Sequence, residues 1–276
     1  MLDDLSARSE PTGHRRVDGS SPRRSRLSRA LLGLAAVVIV GVLLSLGTWQ
    51  VYRLQWKLDL IARVNARVHA AAVPMPGPQA WPEVSADADQ YRHVTGRGTF
   101  DNARETFVQA VTDQGAGFWL LTPFRTATGF TVLVNRGFVP TERRDVASRI
   151  AGQVSGETGV VGLLRVTEPG GAFLRHNDPA DDRWYSRDVA AIAAKRGLAG
   201  PVAPYFVDAD GTPNPGGLPI GGLTVVAFPN SHLVYAITWY ALALMLSGAL
   251  IWAIRDERRS SVGVARSADR ANPGRP

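Results

Sequence analysis

Two long uncharged apolar runs constrain this chain more than any other feature. The second run, Leu233 to Ile254, has about 22 residues and would span about 33 Å as an α-helix. That length is sufficient to cross the hydrocarbon core of a bilayer. The first run, Ala30 to Trp49, contains only Ser45 and Thr48 as polar residues. The sequence therefore predicts a membrane protein with two transmembrane helices.

The first run could instead be the apolar region of a cleavable signal peptide. Such a region has about 7–15 residues and ends at a small-residue cleavage site. This run is longer and continues into Trp49-Gln50-Val51-Tyr52-Arg53 without a clear site of that kind. We therefore expect a retained span, with Trp49 and Tyr52 at the membrane interface, where aromatic residues are enriched.

The distribution of basic residues predicts the orientation of the spans. Six arginines lie between positions 15 and 29 and three lie just after Ile254, whereas no Lys or Arg occurs from Gly211 to Ser231. Because basic residues favour the cytoplasmic side, both termini are predicted to be cytoplasmic and residues 53–231 to lie outside. Residues 1–30 and 255–276 carry thirteen of the 31 Lys and Arg residues. The net charge of +7 therefore indicates membrane topology and contact with lipids, and no nucleic-acid partner is expected.

The composition of the N-terminal tail bears on which membrane is crossed. Mitochondrial presequences are poor in acidic residues. The tail, in contrast, contains Asp3, Asp4, Glu10 and Asp18. The sequence therefore favours a bacterial plasma membrane over the mitochondrial inner membrane.

The segment between the spans predicts a mostly-β domain of α+β class, barrel-like or sandwich-like, with one helix at Trp184 to Gly197. The chain has no cysteine, so this domain must be stable without disulfides. Short β-branched and aromatic runs predict strands at His93–Phe100, Glu105–Val111, Phe118–Arg125, Phe130–Phe138, Val160–Val166, Tyr205–Asp208 and Leu223–Phe228.

These observations divide the chain into six predicted segments. They are a disordered cytoplasmic tail (1–29), a first transmembrane helix (30–52), a juxtamembrane helix with a Pro-rich linker (53–90), an extracytoplasmic β-rich domain (91–231), a second transmembrane helix (232–254) and a second disordered cytoplasmic tail (255–276).

His232 is the residue that most invites a chemical role. It lies just outside the second apolar run, and an imidazole at the outer end of a transmembrane helix is a recognised kind of haem ligand. The alternative is structural, because Asn230 or Ser231 could cap the helix and leave His232 in water at the headgroup level. One histidine supplies half of an axial pair, and the first span contains no second histidine.

The stretch around Arg136 and Phe138 is a candidate for binding a partner protein. Arginine and aromatic residues dominate the energetics of protein interfaces. The alternative is a strand that simply leaves the sheet through a Gly-Pro turn, since Gly137 and Pro140 flank Phe138 and Val139. The sequence leaves both interpretations open.

No motif for enzymatic chemistry is present. The chain lacks a Gly-x-Ser-x-Gly elbow, a P-loop and a strand-linked Gly-x-Gly-x-x-Gly. His176, Asp178 and Asp182 match no established metal spacing and fit a turn. An enzyme would need folding to bring these three residues together with Arg136, so no enzyme is predicted.

Four stretches carry a resemblance to a known family. The chain resembles the Surfeit-locus protein 1 family of cytochrome c oxidase assembly factors over roughly residues 30 to 258. One departure is Phe138, where the family usually has tryptophan. The matching stretches are L-G-T-W-Q-V-Y-R-L-Q-W-K at Leu46–Lys57, V-L-V-N-R-G-F-V-P at Val132–Pro140, N-D-P-A-D-D-R-W-Y-S-R-D at Asn177–Asp188 and N-S-H-L-V-Y-A-I-T-W-Y at Asn230–Tyr240.

The resemblance implies a membrane-bound factor that helps to deliver or retain haem a for oxidase subunit I. It implies His232, in the N-x-H-L motif, as a ligand of the haem iron, and haem a synthase as a further candidate partner. Trp49 and Trp239, from the first and last matching stretches, join Arg136 and Phe138 as partner-binding candidates. The alternative is a structural chaperone of subunit I that binds no cofactor.

Overall fold

The computed structural model describes residues 26–172 and 174–270. The chain divides into two compact units, one formed by residues up to 54 together with residues from 231 onward, the other by residues 55–230. Almost all of the predicted tail 1–29, and the last six residues of the tail 255–276, lie outside the described residues.

Two long helices account for the first unit. Helix α1 is Arg26–His69 and begins in this unit, and a second long helix, His232–Arg270, lies wholly within it. Both are long and apolar enough to cross a membrane. Apolar side chains such as Leu34 (61% exposed) and Leu244 (75% exposed) face outward, as lipid-facing residues do.

Only the second of the long helices extends further in the C-terminal direction than predicted from the sequence. The helix α1 includes the predicted juxtamembrane helix without a break, and the helix from His232 continues past Ile254 as far as Arg270. No proline interrupts either one, and the Ser, Ala, Arg and Glu residues after Ile254 are compatible with helix.

The 55–230 unit contains all the strands of the described residues and, apart from the end of α1, only short helices. Its strands in chain order are β1 Val73–Pro74, β2 His93–Phe100, β3 Thr106–Thr112, β4 Gly115–Thr126, β5 Thr131–Pro140, β6 Glu157–Val166, β7 Gly171–Ala172, β8 Arg175–His176 and β9 Val202–Ala209. Its α-helices are α2 Ala86–Asp89 and α3 Val189–Lys195, so the helix His232–Arg270 is α4. Short 3₁₀ helices occupy Trp81–Glu83, Asn102–Arg104, Thr141–Arg143, Val146–Gly152 and Pro215–Gly217.

Five of these strands close into a barrel. Strand β2 pairs with β6, β6 with β9, β9 with β5, β5 with β4, and β4 again with β2. All pairs are antiparallel except β5 with β9. Strand β3 extends the sheet beyond β4, and β1 adds to β2 in parallel. The predicted fold class is confirmed, and the structure selects a barrel over a sandwich.

Side-chain alternation along β5 explains why its sequence is apolar throughout. Val132 and Val134 point into the barrel core, whereas Leu133 packs on the other face. The interior cluster also contains Val94, Phe124, Leu164, Tyr205 and Val207. The outer cluster lies under α3 and contains Val108, Leu121, Trp184, Val189, Ile192 and Phe206. Both faces of β5 are therefore buried.

The soluble helix is shorter than predicted. It begins at Val189, where the Asp188 carboxylate accepts a hydrogen bond from the Ala191 N–H at 3.1 Å. The Ser186 hydroxyl, which precedes this start, donates to the carbonyl of Glu168 at 2.7 Å. Trp184 was predicted within the helix but is fully buried beside β3, where its carbonyl accepts from the Gln109 N–H.

The predicted strand Leu223–Phe228 is wrong. This segment has the apolar and β-branched composition of a strand but adopts no regular structure. The five barrel strands close on one another through the β2–β4 pairing, and the segment pairs neither with them nor with the outer strands β1 and β3. The segment lines a cavity instead.

Candidate functional site

His232 is the first residue of α4 and is bound by a residue of α1. Its Nδ1 lies 2.8 Å from Oε1 of Gln50, and the Gln50 side chain is 9% exposed. An amide oxygen can only accept a hydrogen bond, so Nδ1 is the donor in this contact. A histidine that binds a metal through Nε2 usually donates a hydrogen bond from Nδ1 in this way.

Tyr240 forms a second contact between the same two helices, two turns along α4. Its hydroxyl lies 3.0 Å from Oγ1 of Thr48. A Cβ added at Gly47 would lie 2.9 Å from the Tyr240 ring, so only glycine lets this ring pack against α1. Ala236 and Ala243, both almost fully buried, lie on the same side of α4. Small residues of this kind allow close helix packing in membranes.

These contacts join two of the stretches on which the family resemblance rests. Gly47, Thr48 and Gln50 belong to the first stretch, while His232 and Tyr240 belong to the last. The sequence analysis singled out His232 but missed Gln50. The available signal was a polar residue directly after the first apolar run, on the same predicted side of the membrane as His232, which directly precedes the second run.

The two tryptophans proposed for partner binding differ in their surroundings. The Trp49 side chain is 53% exposed on α1. Trp239 is half-buried, and its indole Nε1 is buried without a hydrogen-bond partner among the described residues. An indole N–H normally finds an acceptor when it is buried. Because its side chain is the more exposed of the two, Trp49 is the better placed to contact a second molecule.

Arg136 and Phe138 lie inside the barrel domain. Arg136 is 1% exposed, and its Nη2 donates to the carbonyl of Gly152 at 2.5 Å and to Oδ1 of Asn214 at 3.0 Å. Burial lowers the pKa of this guanidinium, an effect that the Glu105 carboxylate opposes. Phe138 is 0% exposed. Both side chains are buried, so neither lies on an exposed rim that a partner protein could contact directly.

The backbone conformation at Gly137 explains why the N-R-G-F stretch has a glycine at this position. Its φ is +132°, and a Cβ there would lie 2.1 Å from the carbonyl oxygen of Ile220. Ile220 exchanges two backbone hydrogen bonds of 2.9 Å with Phe138. The glycine therefore lets the 219–221 segment pair with the end of β5.

We expect Gly137→Ala to destabilise the domain by at least about 2 kcal/mol, because it adds a backbone clash to an unfavourable φ. The midpoint of urea unfolding of the full chain measures the change. Gly129→Ala is the matched control, since Gly129 has φ +94° but nothing within 4 Å of the added Cβ. Equal losses in the two variants would contradict the role given to the Ile220 contact.

The four residues considered for an enzyme have separate partners. Asp178 accepts from Arg183 at 2.7 Å, which lowers the pKa of its carboxyl. Burial would raise the pKa of Asp182, but hydrogen bonds from Trp184 and Arg196 outweigh it and lower that pKa. His176 lies in the β7–β8 hairpin. Among the described residues, no hydrogen bond or ion pair joins any two of these residues or links them to Arg136.

A buried polar cluster around Asp208 was not anticipated from the sequence. The Asp208 carboxylate, 2% exposed, accepts from Asn135 at 2.7 Å and from Arg165 at 2.8 Å. Arg187 donates to Glu168 at 2.6 and 2.9 Å. Asn135 and Arg187 belong to the two matching stretches that lie within this domain. Charged residues are usually exposed to solvent, so a charged residue in a predicted strand gives no sign in the sequence that it is buried.

Comparisons with known proteins show a consistent set of relatives. The sequence profile of the SURF1 family matches residues 37–244. The chain is 39% identical over 232 residues to Surfeit locus protein 1 of Rattus norvegicus, with 78% of this chain and 72% of the relative covered. It is 37% identical to the protein of that name from Homo sapiens over 219 residues, covering 73% and 70%. The Takifugu rubripes protein is 36% identical over 228 residues, covering 76% and 92%.

These relatives correct the predicted location. A bacterial plasma membrane was predicted from the sequence, but the relatives are animal proteins, and that prediction is wrong. It rested on four acidic residues of the tail 1–29, a compositional tendency that does not exclude a mitochondrial protein. The mitochondrial inner membrane, which the sequence favoured less, is consistent with relatives from animals. With a family profile over most of its length and relatives above 30% identity, the chain belongs to the SURF1 family.

Proposed function

We propose that the chain is a membrane-bound, non-enzymatic assembly factor for haem-a-containing cytochrome c oxidase, and that it holds haem a for subunit I through His232. One observation carries the proposal. The histidine of the last matching stretch is bound through Nδ1 by Gln50 of the first, and a ligating histidine usually has such an orienting partner on the ring nitrogen that does not bind the metal. Family membership supports the assembly role.

The residues at this position suit a haem better than a free metal ion. A haem brings its own ring nitrogens and takes its axial ligands from the protein, commonly a histidine. A free ion would need several side-chain ligands, and the described residues include no group of three or more His, Cys, Asp or Glu that could hold one. Bound haem a would supply an iron centre and a carboxylate-bearing ring, with His232 holding the iron and Gln50 holding His232.

A structural chaperone of subunit I that binds no cofactor is the second candidate function. The exposed aromatic side chains of Trp49 and Tyr52 on α1 favour it, since they offer a surface on which another membrane protein could pack. Haem a synthase is a further candidate partner under the first function, because haem a must reach His232 from the enzyme that makes it.

The experiment that separates the two functions is expression of the full chain with and without haem a synthesis. The proposed function predicts a haem a spectrum in the purified protein only when haem a is made. The chaperone function predicts co-purification with subunit I in both cases and no bound pigment. A colourless protein from cells that make haem a would refute the haem-holding role.

Gln50 provides a graded test of the histidine geometry. We expect Gln50→Leu to weaken haem binding by about 10- to 100-fold, the usual effect of removing the group that orients a ligating histidine. Gln50→Glu keeps an acceptor and adds negative charge, so it should retain haem and lower the reduction potential of its iron. Equal potentials in the Gln50→Glu variant and the unmodified protein would contradict the role of Gln50 as positioning residue.

A further inference from the structure

The barrel domain contains a cavity of about 550 Å³ for which the proposed function has no use. All of its lining residues belong to the 55–230 unit. The lining includes the Arg165 and Arg187 side chains, the aromatic rings of Tyr91 and Trp119, and the apolar side chains of the irregular segment 223–225. Eight of the fourteen lining residues are polar or charged and the others are apolar, aromatic or glycine, so the cavity offers both polar groups and apolar surface to a small molecule.

The two arginines have donor capacity that the protein does not use. Each guanidinium has five N–H groups. Within the described residues, the pair makes four hydrogen bonds to carboxylates. Arg187 Nη1 lies 3.6 Å from Oδ1 of Asp208, which is an ion-pair contact beyond hydrogen-bond distance. The two side chains are 12% and 17% exposed, so they are partly desolvated but still reachable.

Asp208 does not compete for an anion at this site as strongly as its charge suggests. Its side chain is 2% exposed, and its two oxygens accept from Asn135 and Arg165. The carboxylate is thus enclosed, while the guanidinium of Arg187 still has unused donors at the lining. Asp113 is the remaining acidic residue of the lining, in the exposed turn between β3 and β4.

The backbone of Tyr91, a lining residue of the cavity, is strained. It has φ +64°, a left-handed conformation that is costly for a bulky residue. Its ring lies 4.7 Å from the Arg165 guanidinium carbon. Such strain persists only where the surroundings enforce it, and it concentrates at ligand sites.

We propose that this cavity binds a small amphipathic carboxylate, with its carboxylate on Arg187 and Arg165 and its apolar body against Trp119, Leu223 and Val225. Guanidinium groups pair with carboxylates through parallel N–H donors, which gives both affinity and orientation. The exposed Val225, at 78%, covers part of the bound apolar body. The inference is independent of His232.

Calorimetric titration of the full chain in lipid nanodiscs, with empty nanodiscs as the blank, tests the proposal with three matched probes. Octanoate is expected to bind saturably, with an affinity that falls as salt is added. Octanol has the same chain without the charge and should bind about 10- to 100-fold more weakly, the loss expected for charged hydrogen bonds. Octylammonium should not bind. Equal affinities for octanoate and octanol, or no saturable octanoate binding, would overturn the proposal.

Variants at the lining separate binding from folding. Arg187→Gln should weaken octanoate binding by about tenfold or more, but it could also loosen the Asp208 cluster. Asp113→Asn alters only an exposed turn and should strengthen octanoate binding a few-fold, which is about the effect of removing one exposed negative charge. Val225→Glu should weaken it, while Ile150→Glu, at a side chain 72% exposed outside the lining, should not. Unchanged affinity in both Asp113→Asn and Val225→Glu would refute the site.

Two sources of such a carboxylate are distinguished by competition against octanoate. Displacement by oleate but not by protoporphyrin IX would identify an acyl chain as the ligand. The reverse result would identify the propionates of a tetrapyrrole. His232→Ala should leave octanoate binding unchanged, so loss of haem at His232 and loss of the cavity ligand are separate outcomes.

Discussion

His232→Ala is expected to remove the haem a spectrum of the purified protein, with a loss of affinity greater than about a hundredfold, above the effect of losing only an orienting partner. The reason is that Nε2 of His232 is the proposed ligand atom, and Gln50 accepts a hydrogen bond from its Nδ1. The measurement is the visible spectrum of protein purified from cells that make haem a, normalised to protein concentration.

His176→Ala is the matched control for this loss, because His176 is an exposed histidine of the β7–β8 hairpin. Exogenous imidazole should partly restore the spectrum of His232→Ala, since it supplies the missing ligand to the cavity left by the side chain. A variant that folds and keeps the full haem spectrum would remove His232 as the ligand. Rescue by imidazole could not occur if the substitution acted only through misfolding.

Arg149→Met is expected to destabilise the barrel domain by about 3–5 kcal/mol, because it leaves a buried carboxylate without its partner. Arg149 donates to both oxygens of Glu105, at 2.7 and 3.2 Å, and the two side chains are 1% and 4% exposed. Gln153 donates a third hydrogen bond to Glu105 at 3.0 Å. The shift of the urea unfolding midpoint of the full chain measures the loss.

Arg97→Met provides the comparison for Arg149→Met. Arg97 pairs with Glu157 at 2.9 Å, but the two side chains are 73% and 57% exposed, and such a pair contributes at most about 1 kcal/mol. Replacing Glu105 by Leu together with Arg149→Met should recover part of the stability, because no unpaired charge then remains buried at that pair. Similar losses for Arg97→Met and Arg149→Met would show that burial does not set the strength of this ion pair.

The apolar runs and their alternation predicted most of the fold. His93–Phe100 is a strand with the predicted bounds, and β4, β5 and β6 differ from prediction only at their ends. The segment Leu223–Phe228 is also apolar and β-branched, but it has no strand partner. Periodicity reports which side chains share a face, and it cannot report whether a free edge exists to pair with.

Of the two residues that form the candidate site, only His232 was predicted from the sequence. His232 stood out because a titratable residue next to an apolar run is unusual, whereas Gln50 lies 182 positions earlier and gave no local sign of the pairing. Glu105, Arg136 and Arg149 were equally hidden. Charged residues are seldom buried, so a sequence pattern assigns them to the surface unless their partners are known.

The closed barrel makes the order of synthesis matter for this chain. Strand β9 supplies two of the five seams, one to β5 and one to β6, and it is the last strand to leave the ribosome. Until residues 202–209 are made, β5 and β6 remain open edges of an unfinished sheet, and such edges recruit other chains. A transcript truncated shortly before Val202 would therefore yield an aggregation-prone product instead of a domain that merely lacks one strand.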